Sequence, residues 1–420
     1  MFTITYLTKT LIIMTLVIKL VTSQTLDEIK AQIINDWKSI ALELVPNYQG
    51  ETAYPEYQRR QWNFTSDSGF STLIENFEDK SGSNRKISIQ GQGEIAFQGA
   101  SDVISGAYLC QFNFSKSAII TLHTDEFVTA FNGAQQGQDG ITWVKDKPQD
   151  VTKLAVPALG KQSNQFFLAY DLIYIRDDYL YMGEVDVFGN EATLDNPPKG
   201  LCAPLIPFSD DETPLTLDEL KEAILGGVWQ SLTKEVRPSK NNQGKLITTF
   251  QTRKLTFLSE SNYSLVLTSF PGPGQTSPFL EMEVIGPFVW EEDASQVVAG
   301  AYFAKFSMSQ LYITPMNDEM ATNLNQGLPE GIEPFKNGQK ANLTGKEFPA
   351  LGMTSDSPDY ESDMVYQRQN RLYLQARPVD GGMLYPKERR TYSLQRDLID
   401  PERSSFNLFL LLNLIVILML

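Results

Sequence analysis

The sequence predicts a mainly β protein built from two tandem antiparallel half-open barrels, each preceded by a short helix. Three observations carry this prediction. The chain repeats itself with a period near half its length, each copy opens on a capped segment of helical periodicity, and each continues as runs of β-forming residues separated by turns.

The repeat is read from matched landmarks. Leu26-Asp27-Glu28-Ile29-Lys30 is answered by Leu217-Asp218-Glu219-Leu220-Lys221, and Trp37-Lys38-Ser39 by Trp229-Gln230-Ser231, 192 positions on. Glu43 and Pro46 correspond to Glu235 and Pro238, Pro157 to Gly160 corresponds to Pro349 to Gly352, and Tyr174 and Tyr181 correspond to Tyr366 and Tyr373, all at that same offset. Gly106-Ala107-Tyr108 and Gly300-Ala301-Tyr302 pair with small insertions that cancel further on. A period this long exceeds any solenoid unit and means two whole domains. The expected division is a signal peptide at 1–23, a first unit at 24–208, a linker at 209–216, a second unit at 217–403 and an apolar C-terminal segment at 404–420.

Each unit is expected to begin with a helix. Thr25 stands three residues before Glu28 and Thr216 three before Glu219, the spacing of a capping box. Ile29, Ile33, Ile34 and Trp37 then fall on one helical face, as do Leu220, Ile224, Leu225 and Trp229. After the helix, period two takes over in Lys86–Gln90, Glu94–Gln98, Leu109–Phe114 and Ala118–Leu122, and in Leu246–Thr252, Ser264–Thr268, Phe279–Val284 and Ala301–Phe306. Trp37, Trp229, Tyr174 and Tyr366 occupy equivalent places in the two copies and are expected to be core.

Composition narrows the function classes. With 51 acidic against 35 basic side chains the net charge is -16, which disfavours a phosphate backbone as partner, so no nucleic-acid role is expected. Leu11 to Ile18 behind Lys9, ending in Val21-Thr22-Ser23, has the form of a secretory signal peptide. Four acceptor triplets, at Asn63, Asn113, Asn262 and Asn342, fit an extracellular chain that is N-glycosylated. Phe406 to Leu420 is apolar except for Asn407 and Asn413 but shorter than the roughly 20 residues of a spanning helix, so membrane attachment through the C-terminus is expected, by a lipid anchor or a short helix. In an oxidising compartment the only two cysteines, Cys110 and Cys202, either pair with each other or pair between chains. One internal disulfide is the expectation adopted.

Catalytic chemistry finds little footing. His123 is the only histidine, the second copy lacks a counterpart, and one histidine with two cysteines does not furnish a tetrahedral metal site. Gly91-Gln92-Gly93 lacks the rest of a nucleotide-binding pattern. No enzyme, cofactor or metal is expected. Aromatic residues among polar ones in Tyr48, Tyr54, Tyr57 and Trp62 read instead as the rim of an apolar pocket, and Phe270 to Phe279, rich in proline and glycine, reads as an exposed loop tip.

The segments Gly227-Val228-Trp229-Gln230-Ser231, Glu235-Val236-Arg237-Pro238, Ile313-Thr314-Pro315-Met316, Ala350-Leu351-Gly352, Arg377 to Gly381 and Pro386-Lys387-Glu388-Arg389 resemble, in order and spacing, the duplicated ectodomain of the adenomatosis-polyposis-coli-down-regulated family. The first unit carries the resemblance through Trp37, Glu43, Pro46, Arg59 to Phe64 and Thr124-Asp125-Glu126. The family's domain is cysteine-rich and this chain is cysteine-poor, which marks a distant relationship. The resemblance implies lipocalin-like β domains, a pocket for a lipid or lipid-modified signalling protein, C-terminal anchorage at the cell surface and negative regulation of Wnt-type signalling. The alternative is a structural or adhesive surface glycoprotein with solid cores. The oligomeric state is open on either reading. Expressed in a eukaryotic secretory host, a chain ending at Arg403 is expected in the medium while the full precursor stays with the cells; equal release of both would remove the anchorage.

Overall fold

The computed structural model describes residues 24–401 apart from 50–51, 136–140, 185, 189–191, 210–211, 241–244, 327, 329–330, 349–352, 354–358, 380–385 and 395–396. The expected signal peptide, the C-terminal segment, part of the linker and the second Pro-Ala-Leu-Gly stretch therefore lie outside the described residues, as does the side chain of Tyr48. The first unit runs α1 (Leu26–Ile33), β1 (Asp36–Ser39), β2 (Glu43–Gln49), β3 (Thr52–Phe64), β4 (Gly69–Phe77), β5 (Arg85–Ala100) and β6 (Tyr108–Leu122). It continues with α2 (Asp125–Ala134), β7 (Gln149–Asp150), β8 (Leu168–Arg176), β9 (Tyr179–Glu184), β10 (Gly200–Leu201) and β11 (Leu205–Pro207). The second opens with α3 (Leu217–Ile224), β12 (Val228–Ser231), β13 (Glu235–Lys240), β14 (Leu246–Ser259), β15 (Asn262–Phe270), β16 (Leu280–Asp293), β17 (Tyr302–Ser307) and β18 (Gln310–Pro315). It closes with α4 (Asp318–Asn325), β19 (Ala341–Asn342), β20 (Tyr360–Arg368), β21 (Arg371–Leu374) and β22 (Leu398–Ile399).

The helix starts follow the sequence. Thr25 and Thr216 accept from the backbone N–H of Glu28 and Glu219, whose carboxylates accept in return from the cap N–H, and so both capping boxes are formed. The helix ends do not follow it: α1 stops at Ile33 and α3 at Ile224, which leaves Ile34 and Leu225 exposed and puts Trp37 and Trp229 on strands. Each indole still reaches back, donating to the carbonyl of Ile33 at 2.9 Å or of Ile224 at 3.5 Å.

The expected pair of half-open barrels is corrected. In the second unit the antiparallel ladder passes from β14 through β12, β22, β21, β20, β17, β16 and β15 and returns to β14, so it closes on itself. The first unit is an eleven-stranded sheet and not a closed barrel: its path of nine strands from β1 to β2, with β7 and β10 beside it, is drawn together at a narrow seam. There the four-residue β1 pairs with β11 on one side and β3 on the other, and β11 meets β9 through the single pair Leu205 with Leu180. The two copies thus diverge in their walls. They share one constraint at equivalent glycines: a Cβ on Gly93 would stand 1.7 Å from the Asn113 carbonyl oxygen, and one on Gly286 1.8 Å from that of Ser307. Only glycine lets the strands cross so closely. Around Gly93 a bulge keeps β5 paired with one long β6, whereas β16 pairs first with β18 and then with β17.

The interiors are filled by rings. In the first unit Trp62, Phe64, Phe70, Phe112 and Phe114 interlock, with Trp62 and Phe112 centroids 4.7 Å apart and Phe70 edge-on to Phe112 and Phe114 at 5.0 and 5.2 Å. In the second, Phe257, Tyr263, Phe288 and Phe306 do the same at 5.0 to 5.5 Å. Such pairs add about 0.5–1.5 kcal/mol each beyond their burial.

A third core joins the units from equivalent pieces of each. Ile104, Ala107, Tyr179 and Tyr181 meet Ala301, Phe303, Met364 and Tyr373. Inside it the Tyr181 hydroxyl donates to Asp397 at 2.8 Å, and Arg371, lying over the Tyr179 ring, donates to Asp397 at 2.9 Å and to Asp177 at 2.6 Å.

A buried polar tie repeats as well. Ser39 donates to Glu43 at 2.5 Å, Arg60 holds both oxygens of Glu43 at 3.0 and 2.6 Å, and the Arg60 backbone N–H donates to Ser39 at 2.9 Å. Ser231, Glu235 and Arg253 reproduce it, with Arg237 added on Glu235 at 2.5 Å. Removing one partner of a buried pair strands the other charge, at a cost of about 3–5 kcal/mol. Glu43→Ala is therefore expected to lower unfolding free energy by about that much, and Glu235→Ala, which removes a carboxylate shared by two guanidiniums, by more. Urea denaturation monitored by tryptophan fluorescence checks the order; equal and small losses would contradict it.

Candidate functional site

Period two along β3, β4, β5 and β6 sends Trp62, Phe70 and Phe112 inward and turns polar side chains outward. Gln61, Asn63, Ser71, Leu73, Gln90, Gln92, Ser117 and Ile119, with Asp36 and Phe208, line a groove of about 270 Å³ on this outer face. The register supplies its order: Trp62 faces Thr72, Thr72 faces Gly91, and Gly91 faces Ala118, which brings the flanking amides and hydroxyls into adjacent rows. Asn63 donates from Nδ2 to the Asp36 carboxylate, so its amide plane is fixed. Phe208, 46% exposed, stands beside Lys38, whose Nζ is 5.1 Å from the ring centroid.

At the far end of the same face Ser88 Oγ lies 3.1 Å from His123 Nε2, and His123 Nδ1 lies 2.7 Å from Asp146. The connectivity is that of a serine, histidine and carboxylate relay. The surroundings are not. Ser88 is 8% exposed and sits in mid-strand between Glu75 and Thr121, where backbone N–H groups are committed to ladders rather than aimed at an oxyanion. The Asp146 side chain is 64% exposed. What the arrangement does is pin the turn at Asp146 against the end of β6, in concert with the Asp146 N–H donating to Leu122.

The four aromatic residues expected to rim a pocket do not converge in what is described. Trp62 is an inward core residue, Tyr57 packs on the opposite face with Leu42, Leu44 and Phe77, and Tyr54 is 47% exposed. An odd separation along one strand puts Tyr57 and Trp62 on opposite faces. Trp37, Trp229 and Tyr366 are buried, while Tyr174 is half-buried against Tyr181, ring centroids 5.7 Å apart. Among the acceptor asparagines, Asn262 and Asn342 are exposed and Asn63 and Asn113 half-buried. The Phe270 loop is tied down by Lys234, which donates to the Pro273 carbonyl at 2.8 Å.

The expected disulfide is corrected. Cys110 and Cys202 are both free thiols. Cys110 is on β6 and Cys202 follows β10, with β8 and β9 between them. Three steps of roughly 4.8 Å make about 14 Å, against the roughly 4.4–6.8 Å a disulfide spans between α-carbons. Burial raises both thiols above their ordinary range, and Cys202 Sγ donates to the Gly183 carbonyl at 3.2 Å.

One repeated pair of ionisable residues escaped the sequence reading. Asp171 accepts from the N–H groups of Leu172 and Gly183, both at 2.6 Å, and Asp363 from those of Met364 and Gln375, both at 2.7 Å. The offset of 192 between them was the available sign. Burial pushes Asp171 up to about 6, and burial together with the neighbouring Glu361 pushes Asp363 up to about 7. Among the described residues no cluster of three or more metal-ligating side chains occurs, and no helix is long and apolar enough to cross a membrane. No family model matches this chain, and no curated protein matches it.

The two carboxyls give the stability a definite pH dependence. Each binds its proton more tightly folded than unfolded, so its contribution is full below about 3.8 and is lost as pH rises through about 6 for Asp171 and about 7 for Asp363. At pH 7 that loss is on the order of 3 kcal/mol per group. Wild-type unfolding free energy is expected to carry this falling component between pH 4 and 7, and Asp171→Asn with Asp363→Asn to flatten it. Parallel pH profiles for the two proteins, from denaturant titrations, would overturn the assignment.

Proposed function

We propose that the protein is a structural or adhesive cell-surface glycoprotein, attached to the membrane through its C-terminal segment, that meets its partners on outer faces rather than through an interior ligand. One observation supports this above the others: each unit's interior is occupied by its own rings, Trp62, Phe70 and Phe112 in the first, Phe257, Phe288 and Phe306 in the second. A receptor for a lipid or lipid-modified partner, and with it a regulator of Wnt-type signalling, needs that volume free. The shared core and its Arg371 network suit a spacer, because they bind the two units into one stiff body. The reading assigns no catalysis to the chain, and no nucleic acid is among its partners.

The test uses residues 24–403 secreted from eukaryotic cells. A fluorescent fatty acyl probe is expected to show no saturable binding, and calorimetry a single cooperative transition for both units. Saturable binding weakened by Trp62→Ala would replace this reading with the lipid one, and two well-separated transitions would remove the stiff spacer.

A further inference from the structure

We propose that the outer groove of the first unit is the seat of the protein's own N-glycan, carried on Asn63, whose innermost sugar packs between β3 and β6. The inference rests on the extracellular reading above, since only a chain in the secretory pathway meets the transferase. Its own warrant is geometric. Asn63 is both an acceptor asparagine, followed by Phe64 and Thr65, and a residue of the groove wall. A sugar attached at Nδ2 therefore starts inside the groove rather than having to find it.

The wall matches what such a sugar presents. An N-acetylhexosamine carries hydroxyls and an amide around its edge and C–H groups on its faces. Gln61, Gln90 and Gln92 offer amide donors and acceptors at the edge, while Leu73, Ile119 and the exposed ring of Phe208 offer apolar contact to a face. The volume, about 270 Å³, lies just under the roughly 300–1,000 Å³ of sites for drug-sized ligands. It suits one sugar and leaves the outer ones in water. Attachment also preserves the existing contact: a glycosylated amide keeps one N–H, so Asn63 can still donate to Asp36, which sets the direction in which the glycan leaves.

The two exposed acceptors, Asn262 and Asn342, lack this setting. Asn262 sits at a tight turn, donating to Ser259 at 3.1 Å and to Ser261 at 3.3 Å, and Asn342 accepts from the Thr344 N–H at 2.8 Å; neither lines the groove. Glycans there extend into solvent and serve as internal controls.

The experiment treats secreted residues 24–403 with peptide N-glycosidase F, native and denatured, and reads each site by mass spectrometry through the conversion of asparagine to aspartate. At Asn63 the native release rate is expected to fall at least tenfold below that at Asn262 and Asn342, with the difference abolished on denaturation. Gln90→Ala with Phe208→Ala is expected to speed native release at Asn63 and leave Asn262 unchanged. Release at Asn63 as fast as at Asn262 in the folded wild type overturns the proposal, whatever the variant does. An Asn63 without glycan in a chain glycosylated elsewhere overturns it too while sparing the surface-glycoprotein reading. A secreted chain with no glycan at any site removes both.

Discussion

The buried carboxylate and guanidinium pair, Glu43 with Arg60 and Glu235 with Arg253, is the contact on which the walls of both units depend. In each case a serine on the short seam strand, Ser39 on β1 or Ser231 on β12, bonds the carboxylate and accepts from the arginine's own backbone N–H. A strand of four residues has too few ladder bonds to hold its place in a sheet by itself. The ion pair fixes it against the long β3 or β14, and the tryptophan on that short strand then closes the core. Because both charges are dry, the arrangement tolerates no half measure: with both partners present the lone pairs and protons are satisfied, and with one absent a bare charge remains in the protein interior.

Much of this was visible in the sequence, and the portion that was hidden has identifiable causes. The capping boxes at Thr25 and Thr216 are local chemistry, and local chemistry is legible. The helix ends were misjudged because positions four apart on a helix and two apart on a strand both group apolar residues, so Ile33, Ile34 and Trp37 fit one helical stripe although the chain changes conformation among them. Lys86–Gln90 and Glu94–Gln98 read as two separate period-two runs; in the fold they belong to one strand with a bulge between Gln92 and Glu94, which resets the alternation. Whether the sheets close was beyond pattern altogether, since closure depends on which distant strands pair. The same ignorance of strand order made a Cys110 to Cys202 bridge look feasible.

The groove illustrates a different blindness. Gln61, Asn63, Ser71, Gln90, Gln92 and Ser117 alternate with core residues and look, one strand at a time, like an ordinary wetted face. Only the register of three ladders makes them neighbours. Of the aromatic residues that the sequence offers as a pocket rim and whose side chains are described, only Trp62 belongs to the first unit's core, while Tyr57 packs on the opposite face and Tyr54 is exposed. The acceptor triplet at Asn63 was legible from the outset, yet nothing in three consecutive residues says whether an attached sugar would wave in solvent or lie against protein.

The core shared by the units has a consequence for how the chain is put together. Its contributors are equivalent pieces of the two copies: Ile104 and Ala107 correspond in position to the stretch holding Val298 and Ala301, and Tyr181 to Tyr373. A patch that meets its own counterpart is self-complementary, the geometry of a two-fold dimer. Joining the copies in one polypeptide presents each patch with its mate at a local concentration set by the linker, on the order of millimolar for a short flexible one, whatever the abundance of the protein. The association is thereby made independent of expression level, and each molecule satisfies its own sticky surface before a neighbour can.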